Sequence, residues 1–191
     1  IVLAAPDGAP TRRPGLPIRR EAAALVLLFP DRDGQARLVL IRRPEGPFRH
    51  AGEVALPGGA IEPEDGSAEA AAVREAHEEV GLDADAAGLT VLGQLGPVEV
   101  RVSGFRLVGV VAVAQTEPSL VADPWEVASI LLPPADAFLP HAPIEVVELE
   151  RDGWRLRYGA YPIEGARVWG ATARLLAQLG GLLGGANPGG A

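Results

Sequence analysis

The chain of 191 residues contains no cysteine. That excludes disulfides, thiolate zinc sites and cysteine nucleophiles, and it makes a reducing cytoplasm the compartment to expect. Methionine is absent too, and the sequence begins at Ile1. No apolar run approaches the ~20 residues of a membrane span. The first twenty residues scatter Arg and Pro and lack the long apolar stretch of a secretion signal. Basic residues are scarce: 17 Lys and Arg stand against 25 Asp and Glu, a net charge of -8. A nucleic-acid backbone is therefore not an expected partner.

What remains is the composition of a globular protein, 48% hydrophobic and 22% charged. The length fits one domain with a core that needs neither disulfides nor a structural metal. Residues 1–20 read as an irregular arm, 21–183 as a single domain, and 184–191 as a Gly-rich mobile tail. Strands are expected at 21–29 and 38–41, paired as a hairpin, and at 54–56, 89–95 and 105–114. Trp125–Ile130 reads as a short helix or turn. Strands at 145–149 and 154–158 flank Asp152-Gly153 as a hairpin. Helices are expected at 67–80 and 169–183. Strands before and after helices predict a mixed α/β fold, with the sheet between helix layers.

The acids are not spread evenly. Between Glu62 and Asp85 nine acids face one base, Arg74, so this segment alone carries the net charge of the whole chain. A solvated helix face would account for many acid-rich segments, but the spacing argues otherwise. Ser67 suits the N-cap of the helix and Gly81 its left-handed C-terminal position. Within it, Glu75, Glu78 and Glu79 stand at i, i+3 and i+4, with Cβ atoms ~5–6 Å apart on one face. Three ionised carboxylates there repel one another unless a cation sits among them. Hard oxygen donors without thiolates favour Mg²⁺ or Mn²⁺. Arg74 is placed to hold a carboxylate in position. Gly58-Gly59, just upstream, lets the backbone turn sharply and lets a phosphate or metal approach closely.

Gly59 through Asp65, followed by Arg74-Glu75-Ala76-His77-Glu78-Glu79-Val80-Gly81-Leu82, resembles the Nudix box. The resemblance implies a Nudix-type α/β/α sandwich and a metal-dependent hydrolase of diphosphate linkages in nucleoside-diphosphate derivatives. It implies Glu75, Glu78 and Glu79 as metal ligands, with Glu75 or Glu78 also open to a catalytic role, and Arg74 as their orienter. The gap from Gly59 to Arg74 is one residue longer than the usual box, and the mid-box acid is Asp65 rather than Glu. The longer box occurs in the branch that resembles coenzyme A pyrophosphatases. Arg43, His50, Gly52 and the run Glu53 to Gly59 match that branch's upstream stretch, whereas Pro44 and Pro47 replace its Ser and Leu. Gly104-Phe105, Glu126-Val127-Ala128 and Trp169 to Arg174 resemble its later landmarks, but Gly109 stands where a Pro is common. Coenzyme A or an acyl derivative is the implied substrate. ADP-ribose, dinucleoside polyphosphates and oxidised nucleoside triphosphates stay open, as does a non-catalytic ligand-binding role. A homodimer is consistent with the resemblance.

Other candidates carry two readings each. His50 fits a contact to substrate phosphate or a structural hydrogen bond. Arg43 and Arg49 suit phosphates or salt bridges with box acids. Gly58 and Gly59 are expected at the substrate. Glu99, Glu117 and Glu126 are candidates for a further base or ligand, with Glu126 ranked first by resemblance. His77 lies off the carboxylate face and reads as packing. Trp125, Trp154 and Trp169 fit either stacking on adenine or core packing.

Overall fold

A computed structural model describes residues 2–4, 10–11, 17–47, 50–101, 103–151 and 154–185. Its strands are β1 (Val2–Ala4), β2 (Pro10–Thr11), β3 (Arg20–Pro30), β4 (Ala36–Leu38), β5 (Leu40–Arg42), β6 (Val54–Ala55) and β7 (Gly58–Ala60). There follow β8 (Thr90–Gln94), β9 (Val98–Val100), β10 (Phe105–Val113), β11 (Ser129–Leu131), β12 (Glu145–Arg151), β13 (Trp154–Ile163) and β14 (Ala166–Val168). The helices are α1 (Ala68–Val80) and α2 (Gly170–Gly185), with a 3₁₀ turn at Ala135–Phe138.

The mixed sheet centres on β3, which runs parallel to β10 through nine partners and antiparallel to β4 and β7. A strand buried on both faces reads as a continuous apolar run, and Ala22 through Leu27 is one. Alternation then sorts its side chains. Ala23, Leu25, Leu27 and Phe29 pack with Ala71, Ala72, Ala76 and Val80 of α1. Ala24 and Val26 belong to the opposite core with Leu175, Leu176 and Leu179 of α2. A fully buried Leu is worth about 1.5–3 kcal/mol, so these few side chains fix α2 to its face. Gly109 leaves the room: a β-carbon there would lie 3.1 Å from Leu175.

A three-stranded sheet, β11-β5-β6, stands beside the mixed one, and β12, β13 and β1 form a further antiparallel sheet. The fold is mixed α/β with helices on both faces, as expected. Some local expectations change. The stretch 1–20 contains β1 and β2, and its last residue opens β3. β1 supplies backbone partners to the otherwise open side of β13 at residues 155–157. Of the two readings for Trp125–Ile130, the turn holds at residues 124–126, and Ser129 and Ile130 already belong to β11. β7, β9 and β14 are strands of three residues each, too short for a sequence pattern to mark them. α2 ends at Gly185, two residues past the expected end and inside the ordinary uncertainty of helix ends. Most of the expected tail, 186–191, the Asp152-Gly153 turn and Arg49 lie outside the described residues. No described helix is long and apolar enough to cross a membrane.

Candidate active site

α1 forms where its caps dictate. The Ser67 hydroxyl accepts a hydrogen bond from the Ala70 N–H at 3.1 Å, and Gly81 closes the helix at φ 63°. Its apolar side is all alanine and valine, which brings the helix backbone close to β3 and β7. That closeness sets the depth of each glutamate. Glu79 is driven into the protein, with 1% of its side chain exposed, whereas Glu78 is 53% exposed. Glu75 lies between them.

Each carboxylate has a protein partner. Glu79 accepts a hydrogen bond from the Gly58 N–H at 2.9 Å. The Arg43 guanidinium lies 3.8 Å from its other oxygen. Glu75 rests against Gly59, where a β-carbon would collide with the carboxylate. Arg74 binds Asp65 with two hydrogen bonds of 2.7 and 3.1 Å, donates to the Ala60 carbonyl at 3.2 Å, and reaches Glu75 at 3.0 Å and Glu78 at 2.9 Å. The sequence singled out Arg74 as an orienter. Its strongest partner, Asp65, was legible only as a departure from the box and not as the residue that anchors it.

Burial pushes the Glu79 carboxyl up to about 7; the Gly58 N–H and Arg43 oppose this, and Glu75 and Glu126 add to it by repulsion. Glu75 is also raised, first by burial and further by Glu78 and Glu126, with Arg74 opposing. Asp65 is lowered by its hydrogen bonds from Arg74 and the Glu62 N–H. Glu75, Glu79 and Glu126 thus feel one another's charge across the space between α1 and the turn before β11. The hydrogen bond from the Ala128 N–H to the Arg42 carbonyl ties that turn to β5.

Among the described residues, no group of three His, Asp or Glu side chains is already arranged as a cation cage. The carboxylates are held by Arg74 and Gly58 instead. Their chemistry still fits a hard divalent cation: the donors are all oxygen, and burial, with a smaller contribution from mutual repulsion, raises two of them. Glu79 is the innermost, Glu75 lies next to it in depth, Glu78 lies outward with Arg74, and Glu126 is exposed on the turn before β11.

The remaining candidates separate. The Nδ1 of His50 lies 3.0 Å from Glu53, and the residue adopts φ 63°, so it shapes the loop before β6. The Nδ1 of His77 lies 3.0 Å from the Leu82 carbonyl, just past the helix C-terminus. Glu99 pairs with Arg101 on the surface, and Glu117 is exposed. Trp125 is 89% exposed, whereas Trp169 stacks on Tyr158 with ring centroids 4.7 Å apart.

A buried glutamate on a capped helix is held by a glycine N–H of the neighbouring strand, an anchored arginine holds the two other glutamates of that helix face, and comparison with known proteins gives the class. A sequence model of the NUDIX domain family matches residues 19–150, and the chain belongs to that family. Curated relatives are likewise Nudix hydrolases. "Uncharacterized Nudix hydrolase NudL" of Enterobacter sp. (strain 638) is 34% identical over 161 residues, covering 84% of this chain and 81% of the relative. The protein of that name from Escherichia coli (strain K12) is 34% identical over 160 residues with the same coverage. Among solved structures, the Nudix hydrolase RenU of M. smegmatis superposes with a TM-score of 0.51 at 28% identity, over 72% of this chain and 81% of that one. A MutT/nudix family protein of Enterococcus faecalis reaches 0.53 at 19% identity, over 88% and 63% of the two chains, and shares the fold. The chain is a pyrophosphohydrolase by family. Nudix hydrolases generally use divalent metal ions and bind small nucleotide substrates.

Proposed function

We propose that the chain cleaves the diphosphate linkage of coenzyme A or an acyl-coenzyme A, releasing 3′,5′-ADP and a phosphopantetheine, in the cytoplasm. The observation that carries the diphosphate chemistry is the placement of Glu75 and the buried Glu79 on one helix face, with Arg43 3.8 Å from Glu79 and Gly58 and Gly59 against the two carboxylates. The substrate choice rests on the stretch from His50 to Gly59 and on the longer box. Residues 21–183 act as one catalytic domain, and the unit works alone or as a homodimer.

Glu75, Glu78 and Glu79 hold Mg²⁺ or Mn²⁺. When bound, the cation neutralises phosphate oxygens and lowers the pKa of a water. The other roles fall to the chain itself. Arg43, one side of whose guanidinium already faces Glu79, pairs with a phosphate oxygen; Arg49 and His50 are proposed as further phosphate contacts. Gly58 and Gly59 keep side-chain bulk away from the substrate. Glu126, or Glu75 or Glu78, accepts the proton of the attacking water. Arg74 positions Glu75 and Glu78 from its anchor on Asp65.

The test is hydrolysis of a panel with each metal, with products separated by chromatography. The panel holds coenzyme A, acetyl-coenzyme A, ADP-ribose, NADH, diadenosine polyphosphates and nucleoside triphosphates. Release of 3′,5′-ADP ahead of all other products supports the reading. Preferential cleavage of another member keeps the chemistry and replaces the substrate. No cleavage at all moves the protein to a ligand-binding role.

A further inference from the structure

A cleft of about 470 Å³ lies on the far side of β5 and β6 from the glutamates, within the ~300–1,000 Å³ range of small-molecule sites. Alternation along the chain explains its position. Ile41 packs with α1 and Arg43 faces Glu79, whereas Leu40 packs with α2 and Arg42 lines the cleft. One wall is the loop carrying Glu45, Gly52 and Glu53; the other is the β13–β14 hairpin with Trp169. The same loop therefore borders both Arg43 and the cleft. Its ends are fastened by the Arg43 N–H to the Glu53 carbonyl at 3.0 Å and the Gly52 N–H to the Pro44 carbonyl at 3.1 Å.

Three features of the cleft bear on its ligand. The Nε of Arg42 is buried, and among the described residues no acceptor meets it. The Arg42 side chain also lines the cleft, and its guanidinium is the charged donor that a ligand there meets. Tyr158 and Trp169 stack with an interplanar angle of 29° and set a flat aromatic wall at the rim. The charge balance opposes an anion: Glu45, Glu53 and Glu145 line the cleft with Arg42 and Arg167, and Arg167 is already taken by Glu145 at 2.8 Å.

We propose that this cleft takes the nucleobase end of the substrate, as an uncharged heteroaromatic ring that lies against the Tyr158–Trp169 pair and accepts a hydrogen bond from the Arg42 guanidinium. The choice of a nucleobase rests on the reading of the chain as a hydrolase of nucleotide derivatives. Arg42 and Arg43 then divide one substrate between them, the ring on one side of the ladder and the phosphates on the other. Arg42 sets specificity through KM and takes no part in the chemistry.

The experiment is a titration of ¹⁵N-labelled protein with adenosine, which carries no phosphate, followed through the tryptophan indole signals and assigned by Trp→Phe substitution. The Trp169 indole is expected to shift saturably while the exposed Trp125 stays fixed. Arg42→Met is expected to weaken adenosine by about tenfold or more, the loss of one charge-assisted hydrogen bond, and to raise KM for the hydrolysed substrate with kcat unchanged. A Trp169 indole that ignores adenosine, or that responds equally to inorganic phosphate, overturns the proposal without any variant being made. Equal binding by a folded Arg42→Met protein also overturns it. Hydrolysis of a panel member with no shift at Trp169 sinks the cleft and spares the function. Adenosine at Trp169 with no hydrolysis of any member does the reverse.

Discussion

The Gly58 N–H and the Glu79 carboxylate meet at 2.9 Å across the gap between a strand and the helix packed on it. Glu79 is almost fully buried there, and burial raises its carboxyl to about 7 from an ordinary 4.5. A raised folded-state value means that the protonated form is favoured by folding. The associated stability is full below pH 4.5 and is lost as pH rises through about 7.

Glu79→Gln follows directly. In metal-free buffer the unmodified protein should lose stability between those pH values relative to the variant, by on the order of 3 kcal/mol, read from thermal melts at pH 4.5 and pH 8. With metal, hydrolysis by the variant should fall about 10²–10⁴-fold with the circular dichroism spectrum intact. Near-normal turnover would remove Glu79 from the site.

Adjacent glycines should fail differently. A β-carbon on Gly59 meets only the far end of Glu75, a side chain that is able to swing aside. Gly59→Ala should keep the fold within about 1 kcal/mol and lower kcat about tenfold or more by displacing Glu75. A β-carbon on Gly58 would strike the backbone of Ala23 and Ala24. Gly58→Ala should therefore lower the melting temperature itself, by the equivalent of about 1–3 kcal/mol.

Arg74→Lys keeps the charge and removes the fork. The guanidinium serves Asp65 twice, the Ala60 carbonyl, Glu75 and Glu78 at once, a set that a lysine ammonium does not match. Steady-state kinetics should show an activity loss of about 10–100-fold. Full activity would mean that the glutamates hold position without it.

On α2, Gly180→Ala places a β-carbon onto the Phe138 carbonyl, whereas at Gly181 nothing lies within 4 Å. Denaturant melts should show the first destabilised by about 1–3 kcal/mol and the second stabilised by about 0.5–1 kcal/mol. Similar effects at both positions would argue against this docking of α2.

The legible parts of this protein are those in which local chemistry and global packing agree. Ser67 and Gly81 bracket α1 in sequence and in space. Ala22–Leu27 and Phe105–Val113 advertise buried strands by apolar content alone. β7 did not, because Gly58-Gly59-Ala60 carries no side-chain pattern and becomes a strand only when β3 offers it partners. The glutamate trio was readable as one helical face, but the inequality within it was not. That Glu79 is buried and Glu78 exposed depends on how close packing through alanine and valine lets α1 approach β3, a tertiary fact. Asp65 as the anchor of Arg74, and Arg42 as a face opposite Arg43, likewise needed the third dimension.

The parallel ladder between β3 and β10 joins residues 85 apart in the chain. On a ribosome, β3, its antiparallel neighbours and the acid-bearing helix are all made before that second edge exists. At about 5–20 residues per second, an apolar strand stays open on one side for roughly 4–17 s. The nascent chain is in that interval a template for any strand in reach, so its yield in cells is set by what shields β3 as much as by the finished fold.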